Sequence, residues 1–168
     1  MIISNINLGK NVSIEIDAHI NNITIGDNTK IAGRAKVFGS NDFPLEIGKS
    51  SFVGLNCFIE GFNAKVKIGD FVSFAPNVNL YSGSGPNASL AMQKIFPIVR
   101  GEVSIGDHCW IGSFSTIMPL VTIGKYCVVA ANSFVTKSFP DYSIIGGTPA
   151  KLIRSLTEEE IKKIHAND

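Results

Sequence analysis

The chain repeats itself in steps of six. Aliphatic residues stand at Ile105, Ile111, Ile117, Ile123, Val129 and Val135 without a break. The same step appears earlier as Ile25, Ile31 and Val37, as Ile47, Val53 and Ile59, and as Ile68, Phe74 and Leu80; Leu8, Ile14 and Ile20 open a further set. Four residues after most of these comes a small or β-branched side chain, among them Thr29, Ala35, Ser51, Cys57, Val72, Val78, Cys109, Ser115, Val121, Cys127 and Ser133. A helix cannot use this pattern, because six residues at about 100° each do not return to one face. A short strand followed by a corner can, with one large and one small inward side chain per step. Gly26-Asp27, Gly69-Asp70 and Gly106-Asp107 follow the large residue. Such residues suit a corner because they tolerate turn and left-handed backbone angles.

Three steps close a triangular coil of about 18 residues, and a period of six is that of the hexapeptide β-helix. Each coil then hydrogen-bonds to those above and below it. A β-sandwich also has short strands, but nothing in it holds a six-residue register over 30 residues.

The register breaks at three places. Four extra residues separate Val37 from Ile47, three separate Ile59 from Ile68, and Leu80 stands 25 positions before Ile105. The last gap marks one long excursion at about residues 82–102. Phe96-Pro97-Ile98-Val99 supplies it with apolar anchors, so it is expected to be ordered, against a neighbouring subunit. Long loops on rigid scaffolds are commonly functional. The rhythm stops at Pro140. The reading is therefore an all-β protein, with a hexapeptide-repeat β-helix over 1–140 and a C-terminal extension over 141–168. Thr157 and Glu160 form a capping box ahead of a short charged helix that is expected to cap the last coil.

Composition narrows the function classes. A formal net charge of +1 argues against a nucleic-acid surface. No run of 18 apolar residues and no signal peptide is visible, so a cytoplasmic protein without a membrane span is expected. Cys57, Cys109 and Cys127 are an odd set with no close pairing, which reads as buried thiols. The three histidines show no metal-ligand clustering, so no metal is expected.

The run IGDHCWIGSFSTIMPLVTIGKYCVVAANSFVTKSFP, followed by IIGGTPAKLIR, closely resembles the hexapeptide-repeat acyltransferases, in particular the sugar and xenobiotic acetyltransferases that include galactoside acetyltransferase. The resemblance covers roughly residues 45 to 155. It implies a left-handed parallel β-helix, a homotrimer, and acetyl-CoA as acyl donor in a groove between subunits. It implies that Trp110 packs beside the pantetheine or thioester end. Ser113 and Ala131 match positions where backbone groups meet the pantetheine amides. Thr136, Lys137, Lys151 and Arg154 match positions near the adenine and phosphates. Lys and Arg there suit a diphosphate and a 3′-phosphate by charge and by forked donors.

The chain departs from the family where a base is needed. The landmark Ala75-Pro76-Asn77-Val78 is present, but Ser84-Gly85 stands where relatives carry the catalytic histidine. No histidine occurs between His19 and His108. Glu60 and Ser84 are the substitutes the sequence offers. Gly54 stands where relatives place a sugar-binding asparagine, so the acceptor site is remodelled. A sugar hydroxyl needs a base to attack a thioester, whereas an amine of pKa about 10 leaves roughly one molecule in a thousand neutral at pH 7. The expected function is acetyl transfer to a hydroxyl or amine of a sugar or sugar nucleotide, in surface polysaccharide or modified-sugar synthesis. The missing histidine keeps a second reading open, a non-catalytic β-helix module.

Overall fold

The computed structural model describes residues 4–166. It is a left-handed parallel β-helix of six coils whose strands stack into three parallel sheets. Sheet A stacks Ile6–Leu8, Ile23–Ile25, Leu45–Ile47, Val66–Ile68, Val103–Ile105 and Thr122–Ile123. Sheet B stacks Ser13–Ile14, Lys30–Ile31, Phe52–Val53, Ser73–Phe74, Trp110–Ile111 and Val128–Val129, then Ser143–Gly147 and Ala150–Ser155. Sheet C stacks His19–Asn21, Lys36–Gly39, Phe58–Gly61, Asn79–Tyr81, Thr116–Ile117 and Phe134–Val135.

The six-residue aliphatic positions form the core. From Ile25 to Val135 every one named above is buried, with the small residues filling the corners between them. Register keeps like on like: Ile68 pairs with Ile47 and Ile105, and Phe74 with Val53 and Ile111. In the first coil Leu8 is 50% exposed and Ile14 and Ile20 are half-buried, since no described coil lies beyond them. All three cysteines are buried and free. Burial pushes the Cys57 thiol up from its ordinary value.

The corners work differently from the expectation. The left-handed backbone angle does not fall on the glycine; it falls two residues later, on Asn28, Phe71, His108 and Tyr126, and likewise on Tyr142 after Pro140. Stacking across coils holds the aromatic ones there: Phe71–His108 and His108–Tyr126 lie 4.7 Å apart and nearly parallel, and Tyr126–Tyr142 5.4 Å apart. The glycine is required by close approach instead. A Cβ at Gly69 would overlap the Asp107 carboxylate. That carboxylate accepts a hydrogen bond from the Asp70 N–H at 3.0 Å. Asp70 in turn accepts from the Lys49 N–H at 2.8 Å, over Gly48. The Ile-Gly-Asp step is thus a ladder in which each coil's aspartate caps the coil before it.

The tail also differs. Thr157 and Glu160 close the capping box of helix α2 (Glu158–His165; α1, met below, is Leu90–Gln93), but α2 has no buried residue. Its few apolar side chains cannot plug the prism. The last coil is covered by Phe139, which bridges to Ile123, and by Ile145 and Ala150 of the hairpin added to sheet B. Helix α2 instead leans on the aromatic corner through His165, whose Nε2 lies 3.2 Å from the Tyr142 hydroxyl. Among the described residues no helix is long and apolar enough to cross a membrane.

Candidate functional site

All three register breaks fall at one corner, where the chain passes from sheet C to sheet A. Loops 40–44 and 62–65 and the excursion after Tyr81 therefore wall one side of sheet C. Insertions stacked along one edge of a solenoid define its binding face. The excursion is ordered: Gly83–Ser84 pairs antiparallel with Val99–Arg100, and Ser89 caps α1. Its anchors cover little within one chain, as Ile95, Phe96 and Val99 remain exposed.

Glu60 fastens the root of this loop. Its carboxylate is buried and accepts from the Phe62 N–H at 2.9 Å, the Ser82 N–H at 2.8 Å, the Ser82 hydroxyl at 3.2 Å and the Gly83 N–H at 3.2 Å. The Asn63 N–H donates to the Ser82 hydroxyl at 3.0 Å, and Arg100 Nε donates to Asn63 Oδ1 at 3.4 Å. A carboxylate with this many committed donors holds the loop in place rather than standing open to take a proton. Ser84 is exposed on the small ribbon, outside the prism. The two candidate base groups are therefore not presented to one point.

The candidate donor residues are better grouped. Trp110 is 58% exposed on sheet B, beside the corner where sheet B passes to sheet C. Ser113 and Ala131 stand one above the other at that corner, where the Asn132 N–H donates to the Ser113 carbonyl at 2.9 Å. The hairpin closes over the same edge, with the Gly147 N–H donating to the Ser133 hydroxyl at 3.3 Å and Thr148 Oγ1 to the Asn132 carbonyl at 3.2 Å. Lys151, opposite Gly146, is exposed there. Thr136 and Lys137 follow Phe134–Val135 at the other end of sheet C's last strand, and Lys137 lies 5.6 Å from the Phe139 ring centre. The small side chains of Ser113 and Ala131 thus share one corner, with Lys151 at its edge and Lys137 at the far end of sheet C's last strand.

Arg154 is committed elsewhere. Its guanidinium makes a forked pair with Glu160 at 2.7 and 2.9 Å. The Arg154 guanidinium, with the Thr157 N–H behind it, holds the Glu160 carboxyl down to about 2. Arg154 therefore ties α2 to the hairpin, which only the fold could reveal: six residues separate the partners across a strand end. No histidine reaches the excursion corner. His19 lies on the outermost strand of sheet C, His108 sits in the aromatic stack between sheets A and B, and His165 is on α2.

A concavity of about 900 Å³ lies on sheet A and contains none of these residues. Two ion pairs lie there, Lys65 with Glu46 at 3.3 Å and Lys49 of the adjoining corner with Asp70 at 3.9 Å. The insertion loops border this concavity as well, through Phe43, Pro44 and Lys65, while the candidate donor residues lie on sheets B and C.

Comparison with known proteins bears on the family. Residues 102–137 match the model of the bacterial transferase hexapeptide (six repeats). Galactoside O-acetyltransferase of Escherichia coli is 33% identical over 137 residues, covering 82% of this chain and 66% of that protein. A putative acetyltransferase of Saccharomyces cerevisiae is 38% identical over 124 residues, covering 73% of this chain and 60% of that protein. The chain thus spans less than two thirds of the length of these curated relatives. Among solved structures, a variant of AntD, an N-acyltransferase from Bacillus cereus, in complex with dTDP-4-amino-4,6-dideoxyglucose and coenzyme A, matches with a TM-score of 0.81 at 25% identity, over 96% of this chain and 89% of that one. A maltose O-acetyltransferase from Clostridium difficile matches with a TM-score of 0.61 at 28% identity, over 90% and 70%. The chain belongs to the hexapeptide-repeat acyltransferase family.

Proposed function

We propose that the protein transfers an acetyl group from acetyl-CoA to the amino group of a sugar. The observation that carries the choice of an amine is the excursion corner: it holds a committed carboxylate and an exposed serine, and no imidazole. An alcohol acceptor needs a base there. A neutral amine does not. It attacks the thioester carbonyl carbon, the tetrahedral adduct breaks its carbon–sulfur bond, and the departing thiolate takes up the proton the nitrogen sheds. The likeness of the chain to an N-acyltransferase over nearly its whole length supports this reading. A role in surface polysaccharide or modified-sugar synthesis, in the cytoplasm, follows from such a product.

In this reading Lys137 and Lys151 face the donor's phosphates, with Ser113, Ala131 and Trp110 along the pantetheine and Thr136 near the adenine. Arg154 acts through the hairpin that carries Lys151. These residues lie on two corners of one prism, so a groove between copies in a homotrimer is the natural seat for one donor. The exposed apolar side chains Trp110, Phe114, Leu120 and Ile153 favour such contacts.

The sequence likeness to galactoside O-acetyltransferase favours a second reading, transfer to a hydroxyl. One experiment separates the two: amino- and hydroxyl-bearing sugars offered with acetyl-CoA, and free thiol measured. Amine acceptors should release thiol, with a rate that climbs about tenfold per pH unit up to the acceptor's own pKa and no break near 6.5. Preference for hydroxyl acceptors overturns the amine assignment. No release with any acceptor favours the non-catalytic module.

A further inference from the structure

Two of the three buried thiols lie against each other. Trp110 pairs with Val128 in sheet B, so Cys109 and Cys127 hold the same inward corner position on successive coils. They are 1% and 0% exposed. Hydrogen bonding alone does not call for sulfur there. Cys109 Sγ donates to the Gly124 carbonyl of the next coil at 2.9 Å, and Cys127 Sγ to the Pro140 carbonyl at 3.2 Å. Earlier on the same corner, hydroxyls make this bond, Thr29 to Gly48 at 2.8 Å and Ser51 to Gly69 at 3.1 Å. Sulfur on two consecutive coils adds a thiol–thiol contact, through which the Cys109 S–H stabilises an ionised Cys127. The Ser143 N–H also donates to Cys127 Sγ, at 3.4 Å. These donors lower the Cys127 thiol to about 7, against burial and the Asp141 carboxylate, while the same contact raises that of Cys109. Cys57 sits between Ala35 and Val78 on another corner, with no second thiol beside it, and burial raises it. Beyond Cys127 sheet B adds only the hairpin, Ser143–Gly147 and Ala150–Ser155, so local opening at that end admits a small oxidant.

A pair with one easily ionised and one reluctant member has the parts of a redox dithiol, an attacking thiolate and a resolving thiol. We propose that Cys109 and Cys127 form a reversible disulfide between their two coils when the protein meets a peroxide. Neighbouring strands of a parallel sheet stand about 4.8 Å apart. A disulfide spans roughly 4.4–6.8 Å between Cα atoms, so the coils need little movement to close one. The Cys127 thiolate attacks one peroxide oxygen, the O–O bond breaks, and hydroxide leaves and takes a proton to become water. Cys127 is then a sulfenic acid. The Cys109 sulfur attacks the Cys127 sulfur, the S–O bond breaks, and the departing hydroxide takes the Cys109 proton as a second water. Two electrons pass from the two thiols to the peroxide. In a reducing compartment, exchange with small thiols reverses the bond. The crosslink ties the coil of Trp110 and Ser113 to that of Ala131, the corner that the proposed function gives to the acyl donor. The site itself does not rest on that reading.

The test is hydrogen peroxide treatment of the folded full chain, quenched with catalase, then acid denaturation, alkylation with N-ethylmaleimide and peptide mass spectrometry. Loss of two of the three alkylatable thiols is expected, with a peptide crosslinked through Cys109 and Cys127 and Cys57 still alkylated. Dithiothreitol should restore all three. Cys57→Ser should leave the crosslink unchanged. Cys109→Ser should stop the reaction at a Cys127 sulfenic acid that dimedone traps. Serine fills the same corner at Ser51 and Ser143, so this variant should fold; circular dichroism checks this. Mapping of the unsubstituted chain decides the matter even if a variant fails to fold. Three alkylatable thiols after treatment, a crosslink through Cys57, a crosslink only between chains, or sulfinic acid in place of the disulfide overturns the proposal.

Discussion

Glu60 is the residue on which the loop wall depends. Removing its carboxylate leaves the buried Ser82 N–H and the part-buried Gly83 and Phe62 N–H groups without that acceptor, a loss of about 3 kcal/mol. Glu60→Ala should therefore lower stability by about that much in denaturant titration and speed hydrogen exchange through 82–102. Unchanged exchange would remove Glu60 as the fastener. Gly69 is constrained as tightly, by a neighbour rather than by its own backbone angle. Gly69→Ala should destabilise by about 1–3 kcal/mol, the range for overpacking a filled site. The identity of both residues stands in the sequence, and their roles do not. Glu60 acquires its partners from positions 22 and 23 residues away, brought level only by the stacking of coils.

Helix α2 and the hairpin behave as one unit through Arg154 and Glu160. Because the folded Glu160 carboxyl titrates at about 2, below its ordinary value near 4.5, its pairing contributes fully above the ordinary value and fades as pH falls toward 2. The helix should stay docked at pH 5 and come away between about pH 4 and 2, read by amide exchange over Glu158–His165. Thr157→Ala removes the cap and should cost α2 about 1 kcal/mol. At the donor end, Lys137→Ala or Lys151→Ala should raise the KM for acetyl-CoA several-fold with little change for the acceptor. Arg154→Ala should do so only to the extent that it loosens the hairpin, and loss of Glu160 should reproduce its effect. Equal effects of Arg154→Ala and Lys151→Ala, with Glu160→Gln silent, would return Arg154 to the phosphates.

The molecule as a whole is a stack in which each coil touches only its neighbours. A cavity in a middle coil should therefore break the longest run of contacts. Ile111→Ala is expected to cost about 2–5 kcal/mol, against a much smaller loss for Leu8→Ala at the half-exposed first coil. Light scattering should report three chains per particle if the exposed apolar edge is an interface between copies.

The sequence by itself determined the prism. A side-chain period of six is a local property, and burial of one aliphatic and one small residue per step leaves little choice of coil shape. The same register fixes where Trp110, Ser113, Ala131, Thr136 and Lys137 fall on the coils, whereas their part in donor binding comes from the resemblance alone and stays a proposal. Only the tertiary structure decided which side chains were already spent. Glu60 and Arg154 look available in a linear reading, yet folding supplies one with buried donors and the other with Glu160. Folding also lined three unrelated insertions along one corner and set the Cys109 and Cys127 thiols in contact across coils. Such contacts span about a coil's length of chain each, and no local pattern records them.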